Sequence, residues 1–77
     1  MDELLSRVTV NPDVCHGKPT LRNLRYPVTM VLDLLASGMT PEELLADYPD
    51  LEREDINACL AFGAKLADVQ RVVLLAA

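Results

Sequence analysis

The chain has 77 residues, 51% of them apolar although only Tyr26, Tyr48 and Phe62 are aromatic, and it carries a net charge of -5 from 12 acidic and 7 basic side chains. That length allows one small domain with a marginal core, because a chain of this size buries only about 60% of its unfolded surface. The acidic balance argues against an ordinary free nucleic-acid binder, whose affinity comes largely from phosphate contacts. No apolar run approaches the ~18 residues of a membrane span, and the acidic opening MDELLS has no signal-peptide pattern, so a cytoplasmic protein with no membrane contact is expected.

The first predicted element is a short strand at RVTV, Arg7–Val10, where β-branched residues alternate. Asn11-Pro12-Asp13 reads as a turn with Pro12 at its second position. GKPTLRNLRYPV, Gly17–Val28, then gathers Lys18, Arg22 and Arg25 with no acid among them. Residues 1–28 carry four bases and three acids, a balance of +1, whereas residues 29–77 carry three bases and nine acids, a balance of -6. Thr20–Arg22 and Leu24–Tyr26 are expected to be short extended pieces, joined at Asn23, which tolerates the left-handed conformation of a tight turn.

Pro27 marks the change to helix. Val28, Val31, Leu32 and Leu35 recur at helical spacing up to a stop at Gly38. TPEEL is the clearest local signal: Thr40 caps, Pro41 suits the first turn, and Glu43 completes a capping box. This helix is expected to end near Tyr48, since Pro49 disfavours helix at the residue before it. Asp50 is the expected cap of the last helix, which opens with Arg53, Glu54 and Asp55 and continues one face through Ile56, Leu60 and Ala64. The fold class predicted is mainly α: a single domain with short N-terminal β-strands or a hairpin in residues 1–27, then a three-helix, homeodomain-like (helix-turn-helix) bundle in residues 28–77. Leu32, Leu35, Leu44, Leu45, Ile56 and Leu60 are its expected core.

Cys15 and His16 are adjacent, but one His and two Cys cannot furnish an ordinary structural zinc site. A Cys–His nucleophile pair needs the imidazole to face the thiol, and neighbours on an extended segment point to opposite sides. No catalytic residue, metal or cofactor is therefore assigned. Asp47, Asp50, Glu54 and Asp55 are read as helix ends and a solvated face. Arg53 and Asn57 are the candidate DNA-contacting residues of the last helix, opposed by Glu52, Glu54 and Asp55 beside them. The closing stretch KLADVQRVVLLAA puts Leu66, Val69, Val73 and Ala76 on one stripe, widened by Val72 and Leu75. Such a helix end must be covered, either by its own domain or by another chain.

Taken together, Pro12, Gly17-Lys18-Pro19, Arg22, Arg25, Pro27-Val28, Leu34-Leu35, Gly38, Thr40, Glu42-Glu43, Tyr48-Pro49, Leu51, Asp55-Ile56, Leu60 and Phe62 resemble the pattern of the domain-of-unknown-function 433 family over roughly residues 8–66. Asn23-Leu24 stands where the family usually has Gly-Thr, and His16 where Gly is common. The resemblance implies a homeodomain-like three-helix fold and an antitoxin encoded beside a PIN-like nuclease toxin, with no enzyme activity. Under that reading Lys18, Arg22 and Arg25 are the partner- or phosphate-binding residues, suited to a carboxylate-lined nuclease site or to operator DNA; pairing of Arg22 and Arg25 with the chain's own acids is the competing reading. A homodimer is expected, with Val8, Val10 and Leu21 in its interface, because a short isolated strand leaves a poor edge. A stand-alone helix-turn-helix regulator and an interaction module without a toxin are the alternatives.

Overall fold

The computed structural model describes residues 2–76, with side chains described over residues 3–68. A four-residue helix α1 (Asp2–Leu5) leads into strand β1 (Val8–Val10). A single 3-10 turn at Cys15–Gly17 precedes strand β2 (Pro19–Leu21), and helices α2 (Val28–Ala36), α3 (Pro41–Asp47) and α4 (Arg53–Ala76) follow. The fold is thus mostly helical with a short antiparallel hairpin at its N-terminal end. Helix α1 was not expected from the sequence.

The two strands pair in the register Val8↔Leu21, Thr9↔Thr20, Val10↔Pro19. Their connection opens with Asn11, whose side chain accepts from the Asp13 N–H at 2.9 Å while its carbonyl accepts from the Val14 N–H at 2.9 Å. That is the Asx-supported turn which Asn-Pro-Asp encodes. After β2 the chain reverses at Arg22 and Asn23, both left-handed, with φ of 48° and 58°. The Leu24 N–H closes the turn on the Leu21 carbonyl at 2.7 Å. Two successive positive φ values match the mirror-image turn that suits the right-handed twist of paired strands. Asn23 accepts this conformation readily; Arg22 occupies it at a cost that its side-chain bonds offset.

Each helix boundary has a local cause. Past α2, the Gly38 N–H bonds to the Leu35 carbonyl and the Met39 N–H to the Leu34 carbonyl, both at 3.1 Å, with Gly38 at φ 106°. This is the paired closure of a glycine-terminated helix. The capping box of α3 forms as expected: Thr40 Oγ1 accepts from the Glu43 N–H at 3.1 Å, and Glu43 accepts from the Thr40 N–H at 2.8 Å. The cap of α4 differs from expectation. Asp50 does not hold it; the Glu52 N–H donates to Asp55 Oδ2 at 2.9 Å.

The core consists of Leu21, Val28, Val31, Leu44, Leu51, Ile56, Ala58 and Cys59. Leu44 and Ile56 are buried as expected, and Leu32, Leu35 and Leu45 pack against the core half-buried. Leu60 corrects the expected list: it is 51% exposed. The inward face of α4 lies about one residue earlier, along Asp55, Ile56 and Cys59. Treating Asp55 as a solvated acid had rotated the apparent face by one position, roughly 100° on a helix of 3.6 residues per turn. Leu21 also moves. Expected in a dimer interface, it has no exposed surface and belongs to the core, while Val10 on the paired strand is 65% exposed. Of the closing stripe, Val69, Val73 and Ala76, with Val72 and Leu75, lie outside the described side chains. The described residues 64–68 of α4 are all exposed.

Candidate partner-binding surface

The three cations of Gly17–Val28 separate into two kinds. Arg22 turns inward. Its Nε and Nη2 donate to Asp55 Oδ1 at 3.0 Å and Oδ2 at 2.6 Å, and Nη2 also reaches the Asp50 carbonyl at 2.9 Å. From the other side, Arg7 Nη1 donates to Asp55 Oδ1 at 2.9 Å and Glu52 Oε1 at 2.8 Å. Asp55 has no exposed side-chain surface, and four donors occupy its two oxygens: Arg22 Nε and Arg7 on Oδ1, Arg22 Nη2 and the Glu52 N–H on Oδ2. A buried carboxylate survives when paired and hydrogen-bonded in this way.

The electrostatics follow from that geometry. Burial pushes the Asp55 carboxyl up, but the bonds from Arg22, the Glu52 N–H and Arg7 outweigh it and hold the carboxyl below its ordinary value. Asp55 is therefore a structural anion rather than part of the solvated face expected of it. The cluster ties β1, the turn after β2 and the start of α4 together. The Arg22 N–H adds a backbone bond to the Arg7 carbonyl at 2.8 Å, and Thr9 Oγ1 accepts from the Asn23 N–H at 2.9 Å. Sequence reading missed Arg7 and Asp55. The available signal was the position of Asp55, four residues before Cys59 and beside Ile56, on the stripe that faces the core.

Lys18 and Arg25 are the second kind. Both are exposed, and neither takes part in an ion pair among the described residues. The loop that presents them is fixed by the locked Arg22 and, nearer Pro27, by Tyr26. The Tyr26 ring packs edge-on to Tyr48 at 5.7 Å, and its hydroxyl donates to Asp50 Oδ2 at 3.3 Å.

Two concavities accompany these residues. A broad shallow depression of about 610 Å³ over the outer side of Arg7 and Arg22 is rimmed by Glu3 and Glu54, which oppose entry of a phosphate. A narrower groove of about 300 Å³ is walled by Pro19, Val28, Leu32, Phe62 and Leu66, with Lys18 at its lip. Gly63 lies beside it, and a Cβ there would touch Leu32 at 3.4 Å.

The candidate DNA contacts sit apart from this surface. Arg53 is exposed but paired with Glu42 of α3 at 2.9 Å, and Asn57 is exposed one turn on. Cys15 and His16 take left-handed φ values of 51° and 57° in the 3-10 turn rather than the extended backbone expected of them. Cys59 is buried, and burial, with a smaller effect of Asp55, pushes its thiol up to about 12, which leaves it inert at neutral pH. No cluster of three or more metal-ligating side chains occurs among the described residues, and no described helix is long and apolar enough to cross a membrane.

The family described as "Protein of unknown function (DUF433)" matches residues 8–63. The crystal structure of a DUF433 member protein from Anabaena variabilis superposes with a TM-score of 0.75 at 30% identity, covering 95% of this chain and 73% of that one. The uncharacterized protein y4eO of Sinorhizobium fredii is 39% identical over 49 residues, 64% of this chain. This chain spans only about a fifth of that relative, 22% of its length. The hairpin, the cation loop and the first half of α4 all fall inside the matched span, and the chain belongs to the DUF433 family.

Proposed function

We propose that this protein acts by binding rather than by catalysis, as an antitoxin-type inhibitor of a PIN-like nuclease. The observation that carries the reading is the division of the basic loop. Arg22 is locked onto Asp55 and holds the turn in place, while Lys18 and Arg25 stay exposed. Cations held on a fixed backbone bind an acidic surface with little ordering cost, and a nuclease centre built from carboxylates is such a surface. Operator DNA fits the same cations less well, because the net charge of -5 opposes phosphate and Arg53 is engaged by Glu42.

The test is co-expression with a neighbouring nuclease gene and an RNA-degradation readout. Lys18→Glu with Arg25→Glu is expected to leave the circular dichroism spectrum unchanged and to release nuclease activity, since like charges across a tight interface cost several kcal/mol. Full inhibition by this double variant defeats the proposal. Arg22→Glu is unsuitable as the probe, because it breaks the Asp55 cluster and confounds folding with binding.

A further inference from the structure

We infer that the outer edge of β1 pairs with the same edge of a second copy, in one antiparallel register centred on Thr9, so that two hairpins join into a continuous sheet. The inference is independent of the nuclease reading. Hydrogen-bond alternation fixes which backbone groups face outward. The Arg22 N–H donates to the Arg7 carbonyl at 2.8 Å, so these two residues face each other as a bonded pair. Bonded and non-bonded pairs alternate along an antiparallel ladder. Thr9–Thr20 is therefore bonded, and Val8–Leu21 and Val10–Pro19 are not. Leu21 agrees: its N–H turns away from β1 to the Tyr26 carbonyl at 3.2 Å. The N–H and C=O of Val8 and Val10 thus point away from β2, and no described residue bonds to them. The far edge of β2 is closed by that Tyr26 bond and by the Thr20–Pro27 bridge, which leaves β1 as the open side of the hairpin.

The edge identifies its own copy as the occupant. Turned about Thr9, a second β1 sets Val8 opposite the partner subunit's Val10 and Val10 opposite the partner subunit's Val8. Every outward donor and acceptor of both strands is then matched, and a two-fold axis makes both contacts at once. Other registers fail on this chain's own residues. A slip by one position brings ladder-bonded groups against outward ones. A slip that pairs Val10 with Val10 sets Val8 against Pro12, whose missing N–H leaves the Val8 carbonyl unmatched. A slip that pairs Val8 with Val8 sets Val10 against Ser6, where the chain has already turned, since the Arg7 N–H bonds to the Leu4 carbonyl at 3.2 Å. Charge agrees with the register about Thr9, because Arg7 meets the uncharged Asn11 of the partner subunit and no like charges face each other. Side chains agree as well: Val10, 65% exposed, gains a β-branched neighbour across the new pair. The edge from Val8 to Val10 carries none of the charges, prolines or bulges that guard a strand meant to stay alone. Two strands make a marginal sheet, and the second hairpin completes it.

The contact is smaller than a standard interface, so association is sought at hundreds of micromolar, where sedimentation of the full chain is expected to approach twice 8.5 kDa. Amide exchange in the unaltered protein reads the edge directly. The Val8 and Val10 amides should exchange roughly tenfold or more slowly at that concentration than on dilution, while the Thr9 amide, held within the hairpin, should not follow concentration. Val10→Pro removes an outward N–H and no ladder bond, a position an edge strand tolerates. It should weaken association by roughly 10-fold or more with an unchanged far-ultraviolet circular dichroism spectrum. Val10→Thr, which keeps the N–H and the β-branch, should still associate. A monomer at hundreds of micromolar, Val8 and Val10 amides that exchange equally fast at both concentrations, or a Val10→Pro protein that folds and associates as before overturns the inference.

Discussion

In the first turns of α4 a carboxylate, Asp55, has no exposed surface, whereas three turns later the aliphatic Leu66 is 48% exposed. One helix thus buries charge at one end and presents hydrocarbon at the other. The first end is complete within the chain: four donors surround the carboxylate, and Ile56, Ala58 and Cys59 close the core beside it. The second end has no such closure over residues 64–68. The lesson is that polarity alone does not decide which side chains a small domain buries. Whether the chain can supply the matching partner does.

The widest separation between the two regimes is expected one turn apart on α4. Ile56 is 2% exposed and Leu60 is 51% exposed. Ile56→Ala should destabilise the fold by about 2–5 kcal/mol, through lost burial and an unfilled cavity. Leu60→Ala should stay within about 0.5 kcal/mol, as an exposed substitution that leaves helix propensity high. Urea unfolding of both variants checks the pair. Equal midpoints would mean that the inward face of α4 is misassigned.

A second way to break the comparison is to remove the buried charge. Asp55→Asn keeps the size of the side chain but places amide hydrogens against guanidinium donors. It should cost about 2–3 kcal/mol, toward the low end for a broken buried pair. The cost is limited because the Arg7 and Arg22 side chains keep 27% and 35% of their surface in water. A loss below about 0.5 kcal/mol would show the cluster to be an ordinary surface network.

Acid offers a graded version of the same perturbation. Unfolded aspartate titrates near about 3.9, and the folded carboxyl of Asp55 is held lower. The unfolded chain therefore binds the proton first as pH falls, so Asp55 contributes stability above about pH 4 that is lost as pH drops through its folded value. Glu42, lowered mainly by Arg53, and Glu43, lowered by the Thr40 N–H, act with the same sign but are exposed and screened. The urea midpoint should stay level between pH 7 and about 5 and fall below about 4. In Asp55→Asn that fall should be shallower. An identical acid slope in both proteins would assign it to other carboxylates.

What could be read in advance follows from the range of each interaction. The Thr40–Glu43 box, the Gly38 stop, the Asn11 turn and the strand at Val8–Val10 are set by residues within a few positions of one another, and each formed as the local pattern implies. The resemblance spanning Lys18-Pro19 to Phe62 also placed the family. Arg7 and Asp55 are 48 residues apart, and nothing local reveals that they meet. The same blind spot shifted the assumed face of α4 onto Leu60; for Arg22 the competing reading, pairing with the chain's own acids, is the one that forms, while Arg25 makes no such pair among the described residues. In Arg22 itself the left-handed backbone was hidden, because a residue with a Cβ takes that conformation only when distant contacts hold it there. Leu21, expected at an interface because a short isolated strand leaves a poor edge, lies in the core instead, since which face of a strand points inward is decided only by its register.

The smallest expected effect lies between the two regimes, at Gly63. A glycine inside a helix costs about 0.5–1 kcal/mol relative to alanine, because the unfolded chain gains freedom from it. It is tolerated where another element must come close, and here Leu32 of α2 is that neighbour. The distance decides the sign. A Cβ at Gly63 would stand 3.4 Å from Leu32 Cδ1 and 3.9 Å from Cδ2, ordinary contact rather than a clash, and the Leu32 end is free to turn slightly. Gly63→Ala should therefore stabilise the isolated fold by about 0.5 kcal/mol, the propensity gain less a small repacking cost. Thermal unfolding of the two proteins reads the sign of the effect. A lowered midpoint would mean that the Leu32 end cannot turn aside and that α2 and α4 approach too closely at Gly63 for a methyl group.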